Sequence, residues 1–473
     1  MELKNALRDA KSYAHWALAA KALDDQGEGK RWKALERSEQ FDYATIRRQL
    51  HQLRKLRRRG DSQSLVYVLE EGVHGNVGGI GKPILYSKAC FGTKQLITDY
   101  IDTVAETLLH IESLPDSEVS PSIKLDLFKR ASHCYGRSAL MFSGGGSLMY
   151  FHIGVAKSLL QQGLLPSVLS GASAGSLVCA MLGTRSDKEL ADFLTPENVC
   201  FGRAWEPGYL ERLTGLRRLL DVKDFDESFP RMVPDITFRE AFEISGRHIS
   251  ISVSANERHH SPRLLNAITS PHVLIRSAVR ASCAIPGLFE PVQLLARNSR
   301  GNTVPYLNLR WIDGGFAADL PAKQLARLYG TNHYIVSLIN PISLLTFRDH
   351  KLESPRLLPL LHMVKNITQY YAKSVDTFLG KYLDASTLGT ANRLLQGLLS
   401  QKYRGDISIV PETRLNSPLK LMSPFTLEEI AALIKDGEHQ TWPRVEMIRN
   451  SSKISRTLDG ILKRAGEDGH SGY

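Results

Sequence analysis

From residue 138 onward the chain sets short apolar runs, at 138–142, 168–172, 249–253 and 334–339, between segments long enough to be helices. A run of five or six apolar residues bounded by turn formers reads as a buried strand. Strands separated by helix-length connections pair in parallel, because a crossover must return the chain to the same edge of the sheet. The pattern therefore predicts an α/β fold, a parallel sheet covered by helices. The residues before it have another character: Ala-, Leu-, Lys- and Arg-rich stretches of helical period, broken by a glycine-rich stretch at 72–81 and carrying no visible chemistry. After residue 340 comes a long helix-periodic stretch and one more short strand, 407–410. These changes divide the chain into a mainly helical N-terminal domain (1–135), an α/β domain (136–340) and a C-terminal extension (341–473), with no internal repeat.

The most specific chemical signal is Gly171-Ala172-Ser173-Ala174-Gly175, which follows one apolar run and precedes the helix-like segment 176–182. A serine on a sharp strand-to-helix turn needs small neighbours, since larger flanking side chains would clash, and its hydroxyl then stands exposed at the top of the sheet. Ser143-Gly144-Gly145-Gly146-Ser147 likewise follows the run 138–142 and leads into a helix-like segment, 148–160. Consecutive glycines leave backbone N–H groups open to an anion, either a phosphate or the oxyanion of acyl transfer. Gly146 and Ser173 are 27 residues apart, about one strand–helix–strand unit, which puts both turns at one edge of the sheet. An oxyanion hole beside a nucleophile is the economical reading.

The base is harder to read. Asp313-Gly314-Gly315 follows the apolar-aromatic segment 306–312, so Asp313 stands either at a strand end as a functional carboxylate or as an ordinary turn former before glycine. A Ser/Asp/His triad would instead draw on a later histidine such as His333, His362 or His439. His152, on the segment after the glycine run, reads as a packed or capping histidine.

Taken together these residues resemble the patatin-like phospholipases, which combine a glycine-rich oxyanion loop, a G-x-S-x-G serine and a D-G-G or D-G-A aspartate. The matching positions are Gly144, Gly145 and Gly146, then Ser173, then Asp313. The resemblance implies a three-layer α/β/α sandwich, a Ser–Asp dyad without histidine, and no cofactor or metal. Where many members continue the glycine loop with a basic residue and another glycine, this chain has Leu148 and Met149. Trp32-Lys33, Phe41-Asp42-Tyr43, Leu85-Tyr86-Ser87 and Gly92-Thr93-Lys94 resemble the domain that precedes the patatin domain in fungal and plant triacylglycerol lipases, and 405–411 and 437–443 resemble the corresponding C-terminal part. That branch implies hydrolysis of carboxylic esters of neutral lipids such as triacylglycerol, or of phospholipids. Acyl transfer to lysophospholipids is associated in the branch with an H-x-x-x-x-D motif, and none of the 15 histidines has Asp five positions later. A catalytically idle lipid-surface scaffold is the rival of another class, and intact Ser173 and Asp313 argue against it.

Composition bounds the rest. A chain of 473 residues, 42% hydrophobic, buries a sizeable core and is neither disordered nor a disulfide-stapled module. The five cysteines, Cys90, Cys134, Cys179, Cys200 and Cys283, form no C-x-x-C pair, so they suggest reduced thiols and no metal knuckle. Glu2, Lys4, Arg8, Asp9 and Lys11 stand where a signal peptide needs an apolar core, and no window reaches the roughly 18 apolar residues of a spanning helix, so the expectation is a cytoplasmic or peripherally membrane-associated protein. Lys and Arg number 60 against 49 Asp and Glu, a net +11 that favours an anionic partner. No zinc-finger spacing or aromatic RNA-binding motif accompanies the charge, which disfavours nucleic acid. The charge concentrates at 47–59, where Arg47, Arg48, Arg54, Lys55, Arg57, Arg58 and Arg59 interleave with Leu50, Leu53 and Leu56. That is either a solvated helix face paired with acids elsewhere, or a surface that docks on an anionic membrane or lipid droplet through Arg54, Arg57, Arg58 and Arg59. An apolar stripe at 359–383 reads more readily as core packing than as a membrane contact.

Overall fold

The computed structural model describes residues 2–200, 227, 229–257, 261–285, 289–315, 319–340, 405–412 and 423–466. The stripe at 359–383 and His362 lie outside the described residues.

Seven helices fill residues 2–135: α1 (Glu2–Arg8), α2 (Tyr13–Gln26), α3 (Gly29–Ala34), α4 (Tyr43–Arg59), α5 (Ser62–Gly72), α6 (Gln95–Ser113) and α7 (Pro121–Tyr135). Local chemistry sets their ends. Asp42 accepts from the Thr45 N–H and Asp61 from the Ser64 N–H, each at 3.1 Å, capping α4 and α5. Between them Gly60 takes the left-handed conformation that closes α4. Leu50 and Leu53 of α4, Leu65 and Leu69 of α5 and Ile97 and Leu108 of α6 then meet in one buried cluster.

The α/β domain begins with β1 (Arg137–Phe142), a 3-10 turn at Gly146–Leu148, α8 (Met149–Gln161), β2 (Val168–Gly171), α9 (Ala174–Gly183), α10 (Asp187–Phe193) and α11 (Pro196–Val199). It continues through α12 (Phe238–Ser245), β3 (His248–Ala255), β4 (Arg263–Asn266), α13 (Ile275–Ser282), β5 (Val292–Arg297), β6 (Thr303–Asp313), α14 (Ala322–Tyr329) and β7 (Thr331–Ser337). After the undescribed stretch come β8 (Ile407–Ile409), α15 (Leu427–Thr441) and α16 (Val445–Arg464).

The strands form one sheet of order β5-β6-β3-β2-β1-β7-β8, with β4 also pairing β3. Every strand expected from the apolar runs is present. The strands from those runs, β3, β2, β1, β7 and β8, run parallel, and the sheet is widened by antiparallel strands that the runs do not announce: β4 and β6 pair β3 antiparallel and β5 pairs β6 antiparallel. The physical reason lies in the connections. β5 and β6 are joined by a short turn in which the Asn298 side chain accepts from the N–H groups of Arg300 and Asn302, so no crossover separates them.

Alternation along the strands gives each face its own core. Leu140 and Phe142 of β1 belong to the large cluster with α8 and α9, whereas Ala139 and Met141 pack with Leu325 and Tyr329 of α14. Helices thus cover both faces, which makes three layers. The described part of the C-terminal extension is built into both halves of the molecule. β8 extends the sheet, α15 lies along α8, and α16 sends Ile454, Leu458, Ile461 and Leu462 into the N-terminal cluster. Among the described residues no helix is long and apolar enough to cross a membrane.

Candidate active site

The C-terminal ends of β1, β2 and β7 lie side by side in the sheet, and three chain turns leave from them. Ser173 sits between β2 and α9 with φ 51° and ψ −125°, a conformation that non-glycine residues rarely adopt. The flanking glycines explain how the turn closes. A Cβ on Gly171 would stand 2.2 Å from the Gly175 carbonyl oxygen, and one on Gly175 would stand 2.3 Å from the Phe142 oxygen. Backbone strain at Ser173 is held by neighbours: its N–H donates to Ser282 Oγ at 2.9 Å, and Ser282 Oγ donates to the Ser252 carbonyl at 2.8 Å. The Ser173 carbonyl accepts from Ser176 Oγ at 2.6 Å and from the Cys283 thiol at 3.4 Å. Burial pushes that thiol well above its ordinary pKa, so Cys283 is a packing group and weak donor.

Asp313 ends β6 opposite Val253 of β3, which brings it to the same edge of the sheet. Its carboxyl is 2% exposed, and Oδ1 accepts from the Gly315 N–H at 2.7 Å. Burial raises its pKa from 3.8 to about 7; the Gly315 amide and the nearby Ser173 side chain pull the other way.

The glycine loop leaves β1 and lies against the serine, so that a Cβ on Gly144 would come within 3.3 Å of Ser173 Cβ. Its amides are not equivalent. The expectation that Gly144, Gly145 and Gly146 all present free N–H groups needs correction at Gly144, whose N–H donates to Asp319 Oδ1 at 2.7 Å. The N–H groups of Gly145 and Gly146 have no acceptor among the described residues.

Asp319 is one of two residues here that sequence reasoning missed. It is 1% exposed, its Oδ2 lies 3.4 Å from Asn340 Nδ2, and burial together with the Asp313 charge raises its pKa to about 7. In Ala318-Asp319-Leu320-Pro321 it reads as a turn former, and nothing local marks it. Ser282 was missed for the same reason.

The candidate histidines among the described residues fall elsewhere. His152 is fully buried on α8, with Nε2 2.9 Å from the Ser143 carbonyl and Nδ1 2.6 Å from Ser337 Oγ. A carbonyl only accepts, so Nε2 carries the proton and Nδ1 accepts from the hydroxyl. Burial lowers its pKa to about 4, which keeps the ring neutral. His333 pairs with Ser138 at the start of the strands, the opposite end of the sheet from Ser173, and His439 packs on the Trp442 ring.

A strained serine between β2 and α9, at one sheet edge with a buried carboxyl and with glycine amides that have no acceptor among the described residues, defines the class as an α/β sandwich with a tight strand-to-helix serine turn. Within that class residues 140–326 match the patatin-like phospholipase family, and residues 1–133 match a domain of unknown function, DUF3336. It is 31% identical to the triacylglycerol lipase SDP1L of Arabidopsis thaliana over 96% of this chain and 58% of that protein. It is 32% identical to a patatin-like phospholipase domain-containing protein of Emericella nidulans, over 99% of this chain and 66% of the relative. The chain thus spans about three-fifths to two-thirds of the length of these two relatives.

Proposed function

We propose that the protein is a serine acyl hydrolase acting on carboxylic esters of neutral lipids or phospholipids, with Ser173 as nucleophile and Asp313 as its base. The observation that carries this reading is the buried Asp313 carboxyl, which ends β6 at the sheet edge where Ser173 stands, its pKa raised to where it can accept a proton near neutrality. Ser173 Oγ attacks the ester carbonyl carbon while its proton passes to Asp313. The carbonyl oxygen becomes an oxyanion facing the N–H groups of Gly145 and Gly146. Collapse of the tetrahedral intermediate breaks the bond to the alcohol, which leaves with the proton from Asp313. Water then attacks the acyl-enzyme by the same sequence and releases the fatty acid. The name of the Arabidopsis relative supports triacylglycerol as the first substrate to try.

The protein must also reach its insoluble substrate. We assign that contact to an anionic membrane or lipid-droplet surface and to the solvent side of α4, where Lys55, Arg58 and Arg59 are exposed and make no ion pair among the described residues.

A fluorophosphonate probe and a panel of lipid esters test the catalytic reading. The wild-type protein should label and hydrolyse, Ser173→Ala should do neither while remaining folded, and Asp313→Asn should lower kcat by roughly 10²–10⁴. Labelling of the Ser173→Ala variant would reject the nucleophile, and a wild-type protein that neither labels nor hydrolyses would be a lipid-surface scaffold. Faster acyl transfer to lysophospholipid than to water would make it an acyltransferase.

A further inference from the structure

We propose that Asp319 is a positioning residue that fixes the glycine loop in the orientation from which Gly145 and Gly146 can meet an oxyanion. The inference rests on the hydrolase reading above and adds a residue to it.

The argument turns on a single peptide unit, the bond between Ser143 and Gly144. Its carbonyl oxygen accepts from His152 Nε2 at 2.9 Å, and its N–H donates to Asp319 Oδ1 at 2.7 Å, so the peptide plane is gripped from both sides. The same loop is tied to the end of β7, because Ser143 Oγ accepts from the N–H groups of Ile339 and Asn340 at 2.9 and 3.3 Å. Asn340 Nδ2 in turn reaches Asp319 Oδ2 at 3.4 Å, which closes the circuit. A glycine run has little intrinsic preference for one peptide orientation. Rotation of the 143–144 plane would carry the next two amides with it, and a donor displaced from the developing oxyanion loses its effect on the transition state. A buried carboxylate accepting one of the loop's own amides is therefore matched to holding the others still. Asp319 touches neither the nucleophile nor the reacting carbonyl in this role; it needs an acceptor oxygen at Oδ1 and not a proton-transfer function.

Substitution in the full chain separates these roles. With p-nitrophenyl butyrate as substrate, Asp319→Ala should lower kcat by roughly 10²–10³, the effect of losing an oxyanion donor, and leave KM within about threefold. Inhibition by a trifluoromethyl ketone, which forms a tetrahedral adduct with a serine nucleophile, should weaken by the same factor as kcat. Asp319→Asn keeps an oxygen for the Gly144 N–H and should lose less than about tenfold. If Asp319→Ala does not fold, Asp319→Ser, whose hydroxyl is too short to reach the amide, takes its place. Three results would overturn the proposal: an Asn variant as damaged as the Ala or Ser variant, a truncation that leaves kcat within threefold, or a loss carried by KM instead of kcat. Ser173→Ala in the same assay keeps the two readings apart. Turnover by that variant would reject the hydrolase reading itself, whereas an inert Ser173→Ala beside unaffected Asp319 variants would reject the positioning role alone.

Discussion

A carboxylate serves as a general base near neutrality only when its charged form has been made costly, and burial does this to Asp313. The proposed active form is the carboxylate, so kcat/KM for a soluble ester should fall about tenfold per unit as the pH drops below about 7. A carboxylate left in water would hold its rate down to about pH 4. A profile flat from pH 5 to 8 would exclude Asp313 as the base. The same shift acts on stability with the opposite sense. Asp313 and Asp319 both bind a proton more tightly folded than unfolded, so the stability they contribute is complete below the unfolded value of 3.8 and is lost as the pH rises through about 7. The conditions that arm the base are those in which the fold tolerates these carboxyls least. Ser173 and Asp313 were legible in the sequence as candidates because a tight turn dictates its own neighbours, glycine and alanine beside the serine and glycine after the aspartate. Asp319 was not, because its partner is an amide 175 residues away, and Ser282 supports the Ser173 amide across 109 residues. Neither separation leaves a local trace.

At the scale of elements, α4 shows how a periodic pattern sets an apolar edge while neighbouring helices decide which charges are paired. Ile46, Leu50 and Leu53 bury one edge of the helix, as the interleaved leucines implied. Of the four arginines expected to form the docking surface, two remain exposed but pair with acids of α6: Arg54 with Asp99 at 3.3 Å and Arg57 with Glu106 at 2.8 Å. Arg48, Lys55 and Arg59 fall on the opposite side, at helical spacings of seven and four, with Arg58 beside them. Changing Lys55, Arg58 and Arg59 to Gln should therefore weaken co-sedimentation with phosphatidylserine vesicles at low salt by roughly two orders of magnitude, at about 1 kcal/mol per charge, and leave hydrolysis of a soluble ester intact. The paired change Arg54→Gln with Arg57→Gln should alter vesicle binding far less, and cost only about 0.2–1 kcal/mol of stability per ion pair. Equal vesicle binding by the first variant and wild type would return the face to solvent. The strands divide in the same way. Runs such as 138–142 announce themselves because both faces are buried. The first eight residues of β6 are exposed or half-buried, and the antiparallel partner of such a strand is fixed by a turn and not by its own period.

For the whole molecule the decisive element is α16, which the sequence places in an extension and the fold places at the junction. Its apolar face, with Ile454, Leu458, Ile461 and Leu462, fills the N-terminal cluster beside Leu108, Ile111 and Leu127. Its polar groups reach both ways. Lys453 pairs with Asp102 of α6 at 2.6 Å and Arg464 with Glu112 at 2.7 Å, while Asp459 pairs with Arg137 at the start of β1 and Arg456 donates to the Gly163 carbonyl beyond α8. Surface ion pairs of this kind contribute little singly, so the apolar face must supply most of the attachment. A helix that belongs to one core and is tethered to the other makes their unfolding interdependent. Calorimetry of the full chain should then show one transition for the helical and catalytic parts together. Leu458→Ala, which removes a fully buried side chain from the N-terminal cluster, should cost about 2–5 kcal/mol and lower that single transition by several degrees without splitting it. Esterase activity, lost on heating, should follow the same curve, although Leu458 lies in the other core from Ser173. Two resolved transitions, with only the one that leaves activity intact moved by the substitution, would mean that the N-terminal helices fold independently and that α16 is attached to them without coupling them to the site.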